Sequence, residues 1–447
     1  MAFRERIQVI KRLIFQKGYN LQEVFGCSEQ FPPNCPTFLE REVHRRFLAE
    51  LKSNNIIIVY GESRQGKTWT VDRYCPQQVR IGCTLSMDIQ QIKIDMLHAA
   101  GMEVREIEHS ITQGYSTGNN IHTTVGAELI AQAGGEVTTA ITHSETMKTT
   151  YRTVELDNSE NFLRTLEKGC SDRFFVFDNF HYLAPHVQQE FCSLLKEFNY
   201  RGIKVIIVGV WRESSKITAL APDLVNRCVH IDVGSWSKDE LNYVTRLGEQ
   251  ALNISIERLI TTRFIDCCAN NIGIYKDLLQ KFCQKCGITG TQKNLTYLNS
   301  TQAADEAINI MISEAYAPLH DRLKNLSTPQ KKRRDSKDVR KKIVVAILRI
   351  IIQCDAQSTQ TGLDANKIQN EVDKICKEQR TDAIQHSNVM QELVNLHLRE
   401  ENSQTGQNFI PLFYFDRTNR KLLVIEPTIY VIKACKCSLL QKIVDEL

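Results

Sequence analysis

A run of eight residues, 61–68, has the composition and spacing of a loop that holds phosphate groups. It reads Gly61, Glu62, Ser63, Arg64, Gln65, Gly66, Lys67 and Thr68. Its glycines let backbone N–H groups curl around phosphate oxygens, and a helix that begins here adds the positive end of its dipole. Lys67 supplies a charge for the β- and γ-phosphates, and the Thr68 hydroxyl is placed to ligate Mg²⁺. The sequence therefore predicts a nucleoside triphosphate site.

Downstream, residues 174–178 are four apolar residues that end in an aspartate. They predict a buried strand whose Asp178 carboxylate holds Mg²⁺ directly or through a water molecule. The alternative is an ordinary buried strand capped by aspartate. The next residue is Asn179, whose amide can orient a water molecule but cannot accept its proton. We therefore expect hydrolysis that is slow, that uses another carboxylate, or that depends on a partner.

Two arginines fall where a γ-phosphate could be sensed. Arg212 follows the predicted strand 204–210, which would lie beside the aspartate strand. Arg227 precedes the predicted strand 229–233 and could act on the nucleotide of a neighbouring subunit, a contact that can be worth ~10³ or more in rate. The alternatives are a surface pair of Arg212 with Glu213, and an Arg227 that packs on its own domain.

Composition and hydrophobic patterning divide the 447 residues into several domains. The chain is 42% hydrophobic and 24% charged, and its net charge of +4 does not by itself indicate nucleic acid. We predict an α/β fold, a P-loop NTPase with a parallel sheet, a helical lid and a C-terminal winged-helix domain. The predicted parts are a helical lead-in at 1–55, the core at 56–235, the lid at 236–326 and the winged-helix-like domain at 340–447.

Two segments interrupt this pattern. Residues 110–153 predict an inserted hairpin that would contact a partner or a neighbouring subunit, and a surface loop without a role is the alternative. Residues 327–342 form a polar, basic linker, which is either a solvated connector or a phosphate contact. Beyond it, three predicted helices and a β-hairpin form a winged-helix pattern. Its helix 386–400 could enter a DNA major groove, although it is not basic.

The chain has 15 cysteines without the spacing of a disulfide framework, which indicates free thiols and a reducing, cytoplasmic environment. Cys283 and Cys286 form a C-x-x-C on a predicted helix, where a buried structural pair is favoured over a zinc site that needs four ligands. Residues 1–18 predict an amphipathic helix packed on the first domain, with a membrane-surface helix as the alternative. The most apolar run, 343–354, is too short to span a bilayer, so we expect no membrane contact.

These motifs resemble those of STAND and AAA+ ATPases. The similar features are the lead-in at 38–42, the order of phosphate loop, aspartate strand and Arg212 strand, and the lid turn at 271–274. A core, a lid and a winged helix together resemble origin-recognition ATPases, and residues 178–183 resemble stand-alone ATPases of bacterial mobile and antiphage loci. The resemblance implies ATP as the nucleotide, a lid that closes over it, and a homo-oligomer in the ATP state.

Three functions follow, in order of preference. The first is a signalling or defence ATPase that switches its assembly state with nucleotide and whose winged helix holds the resting state or binds a protein effector. The second is a DNA-handling ATPase, an initiator or transposition helper, that binds duplex DNA through the winged helix and the basic linker. The third is a scaffold that keeps ATP as a structural ligand, which Asn179 would allow.

Overall fold

The computed structural model describes residues 18–28, 31–32, 34–84, 86–99, 159–169, 173–209, 217, 221–234, 236–328, 336–354, 362–401, 411–417 and 419–447. The predicted inserted hairpin and Arg212 lie outside these residues, as does the predicted amphipathic helix at 1–18 except for its last residue. Four of the eight lysines and arginines of the predicted linker also lie outside them.

A five-stranded parallel sheet forms the first part of the fold. Its strands are β1 Ile56–Tyr60, β2 Gln78–Gly82, β3 Phe174–Asp178, β4 Lys204–Val208 and β5 Cys228–Asp232. Their order is β2-β3-β4-β1-β5, and every neighbouring pair is parallel. The inner strands are apolar runs because both faces of the sheet are covered. The predicted α/β class with a parallel sheet is confirmed.

Helix α1 Leu21–Phe25 precedes the sheet, and five helices accompany it: α2 Glu42–Glu50, α3 Lys67–Tyr74, α4 Ile89–Ala99, α5 Ser159–Gly169 and α6 Pro185–Tyr200. Alternate residues of β1 face opposite sides, as the strand period of two requires. Ile56 and Ile58 belong to the apolar cluster built with α4, α5 and α6, whereas Ile57 and Val59 pack with α2 and α3. The helices therefore hold the carboxyl end of β1, where the phosphate loop begins, from both faces.

The lid follows the sheet. It contains α7 Lys238–Leu252, α8 Arg258–Cys267, α9 Ile272–Lys285, the first half of α10 Thr301–Ser327, and a parallel pair of strands, β6 Ile254–Ile256 and β7 Thr296–Leu298. Ser237 and Glu240 form a capping box that starts α7. Helix α1 packs into the lid core, where Phe25 lies so close to Gly248 that a Cβ there would be 2.2 Å from the ring. The chain thus ties its N-terminal part to the lid.

The C-terminal domain contains α11 Ser336–Gln353, α12 Ala365–Glu378, α13 His386–Glu401 and a three-stranded antiparallel sheet. The strands are β8 Leu363–Asp364, β9 Phe413–Asp416 and β10 Lys421–Val424, in the order β8-β10-β9. Three helices and a β-hairpin match the predicted winged-helix pattern. A further helix, α14 Thr428–Glu446, closes the domain and was not predicted from the sequence. None of the described helices is long and apolar enough to cross a membrane.

The 27-residue helix α10 belongs to two cores. Its first half, with Ala307 and Ile312, packs in the lid cluster, and its second half, with Leu319 and Leu323, packs in the winged-helix cluster. Leu439 of α14 packs against both clusters. The lid and the winged-helix domain are therefore joined by shared packing.

Candidate nucleotide site

The phosphate loop joins β1 to α3 and leaves the start of that helix open. Gly61 and Gly66 have positive φ angles of 148° and 91°, which glycine adopts at little cost. Gly66 is the N-cap of α3 and provides no side-chain hydrogen bond to it. The first N–H groups of a helix have no partner within the helix, so an anion is well placed to accept from them.

Lys67 lies folded against its own loop. Its Nζ donates to the carbonyl oxygens of Gly61 at 2.9 Å and Glu62 at 2.6 Å. Burial lowers the pKa of Lys67 to about 8, and the carboxylates of Asp178 and Glu62 act in the opposite direction. Phosphate oxygens in the loop would offer the ammonium group a better partner than two carbonyls.

Asp178 ends β3 beside this lysine, and its side chain is 14% exposed. One carboxylate oxygen accepts from the backbone N–H of Asn179 at 3.0 Å. The other pairs with the Arg80 guanidinium from the neighbouring strand β2. Arg80 also pairs with Asp72 of α3 at 2.5 Å. The sequence did not single out Arg80, because only the β2–β3 pairing brings it to Asp178.

Asn179 has left-handed backbone angles, φ 58° and ψ 38°, and starts a short 3-10 turn at Phe180–Tyr182. Asparagine tolerates this conformation better than most residues. The turn directs the chain away from the sheet edge, and Asn179 lines the same cavity as Lys67 and Thr68. The structure therefore brings the predicted loop and Asn179 together at one cavity, with Asp178 beside Lys67.

The cavity has a volume of about 670 Å³, which is in the usual range for small-ligand sites. Core, lead-in and lid all contribute to its wall. Its aromatic lining comes from Phe38, His44, Trp69 and Trp236. The phosphate loop and the aromatic rings line the same cavity, so it offers backbone N–H groups for phosphates and aromatic faces for a flat ring.

The lid is hydrogen-bonded to three successive residues of the phosphate loop. Asn271 Nδ2 donates to the Ser63 carbonyl at 2.7 Å, and the Gly273 N–H donates to the Arg64 carbonyl at 3.0 Å. Trp236 Nε1 donates to the Gln65 carbonyl at 3.4 Å. The predicted lid turn at 271–274 therefore lies directly on the loop.

Lys276 follows that turn on α9 and is buried, with 4% of its surface exposed. Its ammonium lies 4.6 Å from the ring centre of Trp69 and faces the cavity, which Asp277 also lines. The sequence interpretation missed this residue. Its spacing could have indicated that it faces the phosphate loop, because Lys276 lies three residues after Gly273 and therefore on the same face of the helix.

Arg41 connects the lead-in to the lid. Its guanidinium pairs with Glu240 at 2.7 Å, donates to the Val233 carbonyl at 2.7 Å and lies 4.5 Å from the ring centre of Trp236. Its backbone N–H donates to His44 Nδ1 at 3.0 Å. His44 is buried and stacks on Phe38 with ring centres 5.2 Å apart.

Burial lowers the pKa of His44 to about 4, with Arg41 adding to the effect and Glu240 opposing it. The unfolded chain protonates this residue near pH 6.5, so between these values it binds more protons than the folded chain. We expect the free energy of unfolding to decrease as pH falls from about 6.5 to 4, by up to ~3 kcal/mol from this group. Urea unfolding across this range should show a shallower decrease for His44→Gln. Equal slopes for both proteins would contradict the assignment.

Arg227 is exposed on the 3-10 turn Pro222–Arg227, immediately before β5. Its Nη1 lies 3.5 Å from Asn199 Oδ1, and it is not among the residues that line the cavity. Within one chain it therefore takes no part in the site. Arg212 lies outside the described residues, so its predicted sensing role remains a prediction.

The parallel sheet carries the phosphate loop after β1, which lies between β4 and β5, and the aspartate Asp178 ends β3. Together with a lid that is hydrogen-bonded to the loop, these features define the class of protein. The fold and the site are those of a P-loop nucleoside triphosphate-binding protein, with three helices and a β-hairpin in a winged-helix pattern in its C-terminal domain. No protein-family model matches the chain, and no curated protein does.

Solved structures of similar organisation span nearly the whole chain. Cdc6p from Pyrobaculum aerophilum is 14% identical, with a TM-score of 0.39 over 96% of this chain and 99% of that one. The ORC2 protein of Aeropyrum pernix is 11% identical, with a TM-score of 0.46 over 96% and 99%. A Walker-type ATPase of Pyrococcus abyssi is 11% identical, with a TM-score of 0.49 over 89% and 96%. The class assignment rests on the strand order and loop of this chain itself.

Proposed function

We propose that this chain is a regulatory ATPase that binds ATP with Mg²⁺ between core and lid and changes its assembly state with the nucleotide. The observation that carries this proposal is the bonding of the lid to Ser63, Arg64 and Gln65. A loop that must adapt to phosphates cannot move without moving the lid. Nucleotide state is thereby coupled to the arrangement of the domains.

The chain supplies a group for each part of the nucleotide. Lys67 and the start of α3 bind the phosphates, and the aromatic wall with Phe38 and Trp236 receives the base. Thr68 and Asp178 offer a hydroxyl and a carboxylate, the hard oxygen ligands that Mg²⁺ prefers. When bound, Mg²⁺ would neutralise charge on the β- and γ-phosphates.

The same residues favour slow or partner-dependent hydrolysis. Asn179 orients water without accepting its proton, so a proton acceptor must come from elsewhere. Lys276 is buried and faces the cavity from the lid, which suits it to neutralise the γ-phosphate and to hold the lid closed. Arg212 is proposed to sense the γ-phosphate within the chain.

Arg227 supports the proposed homo-oligomer. It shares its surface with Val225, 53% exposed, and with Tyr200, 82% exposed at the end of α6. A cation beside exposed apolar side chains is typical of a contact surface. In an ATP-bound assembly this surface would bring Arg227 to the nucleotide of the next subunit.

The experiment is to measure ATP turnover and molecular mass in solution, with ATP, with ADP and without nucleotide. We expect slow turnover and a larger mass with ATP than with ADP, and Arg227→Ala should reduce both effects. Lys196→Ala is the matched control, since this lysine pairs with Asp223 on the same surface but is not proposed to reach a nucleotide. A mass that is unchanged under every nucleotide condition, at micromolar concentration, would contradict the switching proposal.

The hairpin of the winged helix favours duplex DNA as a second candidate partner. Its turn carries Arg417, Arg420 and Lys421, and Arg420 lies 2.9 Å from His386 at the start of α13. These residues join the predicted DNA-reading helix to a basic turn, as a phosphate contact requires. Binding to duplex DNA that weakens steeply with salt and is reduced by neutralising the turn would support this reading.

Two further candidate functions, a defence role and a scaffold role, can be distinguished by what the protein binds and by its rate of ATP turnover. A role in bacterial antiviral defence with a protein effector on the winged helix predicts assembly without DNA. A scaffold that retains ATP predicts nucleotide that stays bound without turnover above that of Lys67→Ala.

A further inference from the structure

Arg80 forms the centre of an ion-pair network beside the proposed metal site. It projects from the middle of β2 and contacts two carboxylates on different elements, Asp178 of β3 and Asp72 of α3. All three side chains are largely buried, with exposed fractions of 27% for Arg80, 14% for Asp178 and 17% for Asp72. The guanidinium therefore occupies the cation position at the carboxylate that is proposed to hold Mg²⁺.

Asp72 is well placed as a second acceptor for this arginine. It lies one helical turn after Thr68, and its carboxylate also accepts from Gln78 Nε2 at 2.7 Å and from the Phe31 N–H at 3.2 Å. These contacts fix Asp72 while Arg80 bridges it to Asp178. The network thus joins the lead-in, the helix after the phosphate loop, and two strands of the sheet.

We propose that Arg80 competes with Mg²⁺ for the Asp178 carboxylate and that Asp72 determines how readily the Arg80 guanidinium dissociates from Asp178. Arg80 pairs with one oxygen of the Asp178 carboxylate and repels a second cation there, so metal entry at Asp178 is favoured when Arg80 shifts its bonding to Asp72. Arg80 then acts as a positioning residue that sets the concentration of Mg²⁺ at which the nucleotide is held. This inference rests on the proposed nucleotide function.

Substitutions of Arg80 and of Asp72 are predicted to shift the Mg²⁺ requirement in opposite directions, which a merely structural ion-pair network would not do. Arg80→Gln removes the competitor, so less Mg²⁺ should be needed. Asp72→Asn keeps an acceptor oxygen but removes the charge that draws Arg80 away, so more Mg²⁺ should be needed. Loss of a structural network would instead weaken nucleotide binding in both variants, without opposite shifts in their Mg²⁺ requirement.

The experiment is a Mg²⁺ titration of the binding of a fluorescent ATP analogue, followed by anisotropy, at a fixed concentration of the analogue that is fully bound only when Mg²⁺ is in excess. The half-saturating Mg²⁺ concentration should fall about fivefold in Arg80→Gln and rise about fivefold in Asp72→Asn. Arg201→Gln is the matched control: Arg201 also pairs with two carboxylates, Glu160 at 2.5 Å and Glu167 at 3.5 Å, but neither of them belongs to the proposed metal site.

Shifts in the same direction, or no shift in either variant, would overturn the role of Arg80 while leaving ATP binding intact. If Arg80→Gln does not fold, as judged by thermal melting, the half-saturating Mg²⁺ concentration of Asp72→Asn tests the proposal alone, and it should be higher than that of the wild type. Wild-type protein that binds no ATP analogue at any Mg²⁺ concentration would overturn the proposed function and this inference together.

Discussion

Replacing Lys67 with alanine is expected to weaken ATP binding by about 100-fold and to abolish turnover. The ammonium places a full positive charge among the phosphates from the start of α3, and hydrogen bonds to charged groups are worth ~1.5–3 kcal/mol. In the described structure it is already held over the loop by Gly61 and Glu62. Equilibrium binding of a fluorescent ATP analogue and a steady-state phosphate-release assay measure the two effects.

A neighbouring lysine provides the control for this prediction. Lys204 lies at the start of β4 with its ammonium 5.3 Å from the ring centre of Phe174, and it does not line the cavity. Lys204→Ala should bind ATP as the wild type does. Equal loss in both variants would indicate general damage to the sheet, and unchanged binding in Lys67→Ala would place the phosphates elsewhere.

Replacing Gly273 with alanine is expected to separate the lid from the phosphate loop. A Cβ at this position would lie 2.6 Å from the Cβ of Arg64 and 3.0 Å from its carbonyl oxygen, which accepts the Gly273 N–H. Relieving the overlap must shift the backbone of one segment, at a cost of ~1–3 kcal/mol. We expect ATP affinity to fall about tenfold, and the lid to become more accessible to limited proteolysis.

Gly82 is the matched position for this substitution. It ends β2, has no positive φ angle, and a Cβ there would meet nothing within 4 Å. Gly82→Ala should therefore leave ATP affinity and proteolysis unchanged. Gly273→Ala with wild-type affinity and protection would mean that the lid contact is not required for binding.

The parts of the site that are local in sequence could be predicted, because glycine spacing and apolar runs report directly on a loop between a strand and a helix. Thus the loop at 61–68, the strand that ends at Asp178 and the lid turn at 271–274 were all identified. Arg80 could not be, since it lies 98 residues from Asp178 in sequence and reaches it only through the order of the strands. Lys276 was missed because a lysine on a helix usually indicates a solvated surface.

The elements of the fold also divide into those that local sequence patterns predict and those that they do not. The parallel sheet and the winged-helix elements follow from strong periodic patterns, whereas β6 and β7 are three-residue strands that no periodicity can reveal. Helix α11 starts at Ser336 within the predicted basic linker, because charged residues such as lysine and arginine also form helices well.

Helix α10 connects the lid to the winged-helix domain, so that a movement of the lid is transmitted to that domain. Its 27 residues would extend about 40 Å, with one end fixed in the lid and the other in the winged-helix domain. If the lid tilts by about 10° as the phosphate loop adjusts, the far end of so long a rigid element sweeps roughly 7 Å. Pro318 lies inside the helix, between the residues anchored in the two cores, and because its missing N–H makes bending easiest there, a bend at Pro318 would reduce this displacement. Whatever ligand the winged helix holds would thus sense an ångström-scale adjustment at the phosphates as a displacement comparable to the width of a DNA minor groove.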